Sequence, residues 1–430
     1  MKQLLKVGYG GFMFGGGCMN SADTVWLLIS SALVLFMTPG LAFFYGGLVK
    51  RKNVINTMMI CVFTMGMASI MWVLFGYSLS FSGDIGGVIG NLNWFGLNGV
   101  GAEIGPWLPT VPNLAFAIFQ MMFAIITPAL ITGALVERMR FSSLAIFVTV
   151  WSIVVYYPLA HMVWGGGLLA QLGAIDFAGG NVVHISSGVS ALVVALMIKK
   201  RKHHGKITYH PHNIPFVFLG AAILWFGWFG FNAGSAGAAN GLAVHAFMTT
   251  NTSCAAALLS WMLIEKIHNG KPTLVGASTG LVIGLVAITP GAGFVPIWAS
   301  IIIGALVSPI CYLFITVVKP KFGYDDSLDA FGCHGIGGIW GSIATGIFAL
   351  TSINGVAKWN GLAFGEVELF VRQLAGVGIT IVISVAGTFI ALAVAKLITR
   401  NLRVPLSSED IGLDIAEHGE NAYPSYLGLD

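Results

Sequence analysis

VVHISSGVSALVVAL, residues 182–196, sets one histidine, His184, near the start of a short apolar run studded with small residues. FGCHGIGGIWGSIA, residues 331–344, does the same for His334. A side chain that gains or loses a proton near neutral pH is costly in hydrocarbon, and it marks a functional site there by default. Two such residues in matching settings carry more weight than one. They fall in the fifth and tenth of eleven apolar segments, and the rest of the chain can be read outward from them.

The chain is 56% hydrophobic and 9% charged, where an ordinary soluble domain carries roughly 25% charged residues. This composition predicts an all-α polytopic membrane protein. Runs long enough to cross a bilayer lie near 24–49, 54–81, 113–135, 141–164, 181–199, 215–233, 244–266, 273–290, 296–318, 334–351 and 369–399. The eighth and tenth are the most diluted by glycine. All 21 lysines and arginines except Lys2, Lys6, Lys358 and Arg372 fall in loops after odd-numbered spans or at the end of the eleventh. The positive-inside rule then predicts eleven transmembrane helices with the N-terminus outside and the C-terminus inside. The small net charge of +4 sits in these short loops, where it reports topology and gives no sign of a nucleic-acid partner.

Five spans precede the basic linker 200–214 and five follow it. An odd number per half inverts the second half relative to the first, so the organisation predicted is a 5+5 inverted repeat plus one C-terminal helix. Its parts are an exported N-terminal segment 1–23, a first repeat 24–199, the cytoplasmic linker 200–214, a second repeat 215–351, the eleventh helix 369–403 and a cytoplasmic tail 404–430. No residue-level repeat is evident between the halves. The symmetry rests on span counting and on the two histidine segments, whose short, glycine-interrupted character points to the substrate path.

Other features offer less. Lys2 and Lys6 before a Gly-rich stretch fit either a cleaved export segment or a loose exported N-terminus. The five cysteines show no metal-ligand spacing and imply no disulfide framework. The loop 82–112 fits a cap over an outer vestibule or a plain surface loop. The acidic tail could dock on the basic loops or contact a partner. His161 and His245, beside spans, fit hydrogen-bonded packing residues. Acidic residues are absent from the span interiors, where a bare cation would want one. Neutral imidazole suits a cation that can shed its proton, and ammonium is the small candidate. Phe119 and Phe123, four apart in AIFQMMFA, share a helix face. WFGWFGFNAGSA sets Trp225, Trp228, Phe229 and Phe231 ahead of Ser235. Such ring faces attract cations by roughly 0.5–2 kcal/mol and can form a dry constriction, although runs of this kind also serve as packing.

HMVWGGGLL (161–169), DFAGGNVVHISSG (176–188), WFGFNAGSA (228–236) and DAFGCHGIGGIWG (329–341) closely resemble, in order, the signature stretches of the ammonium transporter (Amt/Mep/Rh) family, nearest its prokaryotic members. GLAFFYGGLVKRKN in the first span and RVP, GLD and HGENAY in the tail are similar as well, so the resemblance runs from about residue 24 to the end. It implies that Phe119, Trp164 and Ser235 form an outer ammonium recruitment site and that Phe123 and Phe231 form a gate. It implies that His184 and His334 are twin, hydrogen-bonded histidines of a narrow pore. Asp176 would organise the site through backbone contacts, or act simply as a helix cap. Tyr45 and Trp228 match aromatics near the pore wall, where packing is an equal reading. The resemblance further implies a multi-pass homotrimer of the plasma membrane, in a family whose prokaryotic members are often blocked from inside by a PII-type signal protein, a candidate partner here; no cofactor and no metal are expected. Met121 and Met122 are larger than their counterparts and could narrow the vestibule. MTPG in the first span looks one residue short around Pro39.

The function expected is ammonium transport without enzymatic activity: recruitment, deprotonation, passage of ammonia between the histidines, and separate transfer of the proton. A passive ammonia or carbon dioxide gas channel and an ammonium sensor are the alternatives.

Overall fold

A computed structural model describes residues 18–206 and 209–423. Residues 1–17 of the expected exported segment and residues 424–430 of the tail lie outside the described residues. Within them the chain is helical, with three isolated bridging pairs and no strand. Nine helices among the described residues are long and apolar enough to cross a membrane: α1 Ser21–Leu48, α2 Arg51–Phe81, α3 Asn113–Ala134, α4 Phe141–Leu172, α5 Gly180–Met197, α6 Ile214–Gly234, α7 Gly241–Asn269, α9 Ile297–Phe322 and α11 Glu368–Thr399. Between them, α8 is the shorter apolar helix Leu274–Ile288. The tenth, α10, starts with one wide turn, Phe331–Gly335, and runs on as Ile336–Phe348. Helices thus stand at all eleven apolar segments read from the sequence, the two glycine-diluted ones being the short ones.

Local chemistry explains where helices begin. Asn20 accepts from the amides of Ala22 and Asp23, Asn213 from Phe216, Asn240 from Leu242 and Ala243, and Thr273 from Gly276. Each side chain satisfies donors that a helix start leaves orphaned. Glycine sets the closest packing. α1 lies along α6, where an added Cβ at Gly220 would stand 2.2 Å from the Phe44 amide nitrogen and one at Gly227 2.2 Å from Met37. In a bilayer such close backbone approach supplies the association that water cannot.

The loops at the basic end are tied together by ions. Arg201 donates to both Asp325 oxygens at 2.8 and 3.0 Å and to Glu137 at 2.9 Å. Arg138, fully buried, donates to Ser327 and to the Asp325 carbonyl. The tail docks on this surface. Arg403 pairs with Glu409, Lys202 with Asp410, and Asp414 accepts from the amides of Val54 and Asn56. Docking on the basic loops, one of the two tail readings, is thus seen among the described residues.

Burial alone would raise Asp325, but the Arg201 hydrogen bonds and the Arg138 and Arg201 charges outweigh it and hold the carboxyl well below the usual range. A carboxyl so lowered stabilises the folded chain above its unfolded value of about 3.9 and loses that contribution as pH falls through the folded one. Asp325→Asn is therefore expected to cost about 3–5 kcal/mol at neutral pH, because it leaves Arg138 buried without a carboxylate and takes one of the two carboxylates from Arg201, which keeps Glu137. A thermal-unfolding comparison in detergent checks this: the gap between variant and wild type should be full at pH 7 and close in strong acid.

Candidate functional site

The site is a column of rings built from five helices. Phe119 and Phe123 lie one turn apart on α3, with centroids at 5.0 Å. Trp164 comes from α4, just before its helical run breaks over Gly165–Gly167. Phe231 and Ser235 lie one turn apart near the end of α6. Phe119, Phe123, Trp164, Phe231 and Ser235 converge although they are far apart in sequence. Phe123 meets Trp164 edge-on at 5.9 Å and 79°, and packs on Phe231 at 4.3 Å and 34°.

On one side of the Phe123 and Phe231 contact is a cavity lined by Phe119, Phe123, Trp164 and Ser235. Trp164 spends its indole N–H on the Asp176 carbonyl at 3.0 Å, so what remains for a ligand is its ring face. Ser235 donates to the Phe231 carbonyl at 2.8 Å, which leaves its hydroxyl oxygen free to accept. Leu108 and Gln120 also line this cavity. Leu108 comes from the long loop, which therefore contributes to the wall of this cavity. The Gln120 carbonyl oxygen is buried without a hydrogen-bond partner in the protein. Sequence reading passed over Gln120, although a lone amide inside an apolar span was a usable signal.

On the other side of the Phe pair is an apolar-walled space reached by Phe231, Trp228, His184 and His334. His184 stacks on Trp228 at 5.4 Å and 22°, and on His334 at 5.4 Å and 18°. The two Nδ1 atoms stand 3.3 Å apart, and both rings are buried. One Nδ1 must donate and the other accept, so the tautomers are coupled: one ring turns a bare Nε2 to the path and the other an Nε2–H. The Nε2 of His184 has no protein partner. The pair can thus take a proton at one end and give one at the other.

Asp176 does not enter either cavity. Its carboxylate accepts from the amides of Gly179, Gly180 and Asn181 at 2.7–2.8 Å, and more weakly from Val182. It caps the wide turn Gly180–Ile185 that carries His184, so the helix cap and the backbone organiser are the same role. Wide turns of this type are frequent at functional sites. A glycine crossing holds the two histidine segments together. An added Cβ at Gly188 would stand 2.0 Å from the Gly335 nitrogen, and one at Gly338 would stand 3.0 Å from the His184 Cβ.

These contacts expose a repeat that the sequence had not yielded on its own. Asp176, His184 and Gly188 have the same spacing as Asp326, His334 and Gly338. Asp326 likewise caps the turn carrying its histidine, accepting from Ala330 and Phe331 at 3.0 and 2.8 Å.

Other candidates fall outside the column. Tyr45 donates to the Leu130 carbonyl at 3.0 Å and packs beneath Gly133, whereas Trp228 lines the space beside the histidines. Met121 and Met122 line neither cavity. His161 is a buried packing residue held by the Ser80 carbonyl and Asp84, and His245 meets the Val295 carbonyl at 2.8 Å.

Comparison with known proteins agrees over most of the chain. A family model described as Ammonium Transporter Family matches residues 25–423. An ammonium transporter of Bacillus subtilis is 50% identical over 405 residues, covering 94% of this chain and 99% of the relative. The ammonium transporter Amt1 of Archaeoglobus fulgidus is 46% identical, covering 94% and 100%. The crystal structure of Saccharomyces cerevisiae Mep2 superposes with a TM-score of 0.86 at 36% identity, covering 95% of this chain and 93% of that one.

Proposed function

The chain belongs to the Ammonium Transporter Family, and from that premise we propose that it moves ammonium along the ring column by deprotonating it. The observation that carries this reading is the continuity of the column, from a cavity walled by ring faces and free oxygens, through the Phe123 and Phe231 contact, to a buried imidazole pair. Ammonium is recruited at Trp164, Phe119 and Ser235. Ring faces and oxygens replace part of its lost water. Near His184 it loses its proton, ammonia passes the histidine pair, and the proton crosses separately. Potassium has similar charge and size but no proton to give, so it is not passed on at the histidine pair.

Eleven spans, an outside N-terminus and an inside C-terminus complete the proposal. The basic loops gathered at one end support this orientation. A 5+5 inverted repeat, 24–199 and 215–351 around the linker 200–214, followed by the helix 369–403 and the tail, is supported by the paired Asp, His and Gly positions and by α1 lying along α6. Residence in the plasma membrane as a multi-pass homotrimer, with a PII-type protein as partner at the basic end, rests on the family resemblance.

Current measurements on proteoliposomes adsorbed to a solid support test the function. Ammonium pulses are expected to evoke a net current and potassium pulses none; an ammonium flux without current would mean a neutral-gas channel and overturn the proposal. In the same assay Trp164→Leu is expected to raise the half-saturating ammonium concentration by about two- to thirtyfold, the factor matching a lost cation–π contact.

A further inference from the structure

Trp164 stands between two stitches that fasten α4 to the end of α2 and the start of the long loop. Three residues before it, the His161 ring is fully buried. Its Nδ1 lies 3.1 Å from the Ser80 carbonyl oxygen of α2, and its Nε2 lies 3.0 Å from a carboxylate oxygen of Asp84 in the loop. Both neighbours can only accept, so both ring nitrogens must donate, and the ring stands there as an imidazolium paired with a carboxylate. The bond from His161, with a smaller one from the Gly87 amide, holds the Asp84 carboxyl below the usual range. Four residues after Trp164, the Leu168 amide donates to the carbonyl of the same Gly87 at 2.7 Å.

The chain between the stitches has no slack. The His161 carbonyl accepts from the Gly165 and Gly167 amides at 2.9 and 3.0 Å, and the ring lies against both glycines: an added Cβ at Gly165 would stand 2.8 Å from its Nδ1, and one at Gly167 2.9 Å from its Cδ2. The Trp164 indole is tied separately to the Asp176 carbonyl. Backbone position and that one bond therefore set the plane of the ring, and a cation is attracted by its face alone. Resting on the reading of Trp164 as the recruitment ring, we propose that His161 and Asp84 are positioning residues for ammonium recruitment, which hold the Gly165–Gly167 turn and with it the aim of the Trp164 ring. Neither residue lines the cavity, so the pair acts through the backbone and not by its charge.

Half-saturation and maximal ammonium current, measured together in proteoliposomes, test this. His161→Ala is expected to raise the half-saturating concentration about three- to tenfold, within the range set by loss of the tryptophan face itself, and to change the maximal current by less than about twofold, because the phenylalanine gate and the histidine pair are untouched. His161→Gln, whose amide nitrogen can replace Nε2 as a donor to Asp84, should recover most of the half-saturation. Asp84→Ala should match His161→Ala and add nothing to it, since each acts through the other. In a Trp164→Leu chain neither substitution should raise half-saturation further, because the ring they aim is gone. A merely structural role would lower the maximal current and leave half-saturation where it was. Unchanged half-saturation in Asp84→Ala, a loss confined to maximal current, or effects that multiply with that of Trp164→Leu overturn the proposal. If His161→Ala fails to reach the membrane, Asp84→Ala, whose side chain is 45% exposed, decides alone: a raised half-saturation upholds the proposal and an unchanged one overturns it. Failure of the underlying recruitment reading shows separately, as unchanged half-saturation in Trp164→Leu.

Discussion

His184→Ala combined with His334→Ala is expected to leave a protein that assembles but no longer distinguishes ammonium from potassium. The two rings are stacked at 5.4 Å and walled by Trp228, Phe231 and aliphatic side chains, with no carboxylate lining the same space. In wild type a bare cation there lacks the partners it needs, and stripping its water costs several kcal/mol. Removing both imidazoles opens room for water in this space and removes the groups that, among the described residues lining it, can pass a proton. Potassium then crosses with part of its hydration intact. A loss of selectivity of about a hundredfold corresponds to roughly 2.7 kcal/mol of barrier difference, well inside the cost of desolvating a cation. Potassium-driven current, absent in wild type, is the signal to look for. Selective ammonium current that survives in the double variant would remove the centre of the proposed mechanism.

Gly188→Ala is expected to be almost as damaging, although it adds one carbon and touches no substrate. The new Cβ would stand 2.0 Å from the Gly335 nitrogen, 2.4 Å from its Cα and 2.8 Å from the His334 carbonyl carbon. These are backbone atoms at a helix crossing, with no flexible side chain to swing aside, so the segments must separate. Overpacking of this kind costs about 1–3 kcal/mol or more. The geometric effect is larger than the energetic one. The 3.3 Å contact between the histidines does not survive a displacement of an ångström, and transport should fall to background with a lower unfolding temperature. Gly66→Ala is the control, because a Cβ there meets nothing within 4 Å; it should be silent in both assays. If Gly188→Ala transports normally, the close crossing is not what brings the histidines together.

Much of the fold was legible because the bilayer imposes one-dimensional rules. Apolar length, glycine dilution and the placement of 21 basic residues are properties of the chain read in order. They gave all eleven helical segments to within a few residues, except where Leu168–Leu172 adds a turn to α4. The column residues were legible for different reasons: Trp164, Phe231 and Ser235 sit in long motifs similar to those of a known family, and Phe119 and Phe123 stand four apart in the motif AIFQMMFA. Gln120 was not, since it lay in the same motif without drawing notice. For Tyr45 packing was one of two open readings, and the structure chooses it, because position in a matching motif does not say which way a hydroxyl turns.

By itself the sequence determined that this is a helical, bilayer-sized chain with two histidines in equivalent segments of two halves. Halves inverted as proposed would approach from opposite faces of the membrane, so equivalence alone does not make the rings touch. That was decided by tertiary structure. Two glycines, each four residues after its histidine, let the segments cross at backbone distance, and two aspartates, each eight residues before, pin the turns that aim the rings. The spacing was in the sequence throughout, but only the crossing gives it meaning, because close approach of two backbones is a property of neither segment alone.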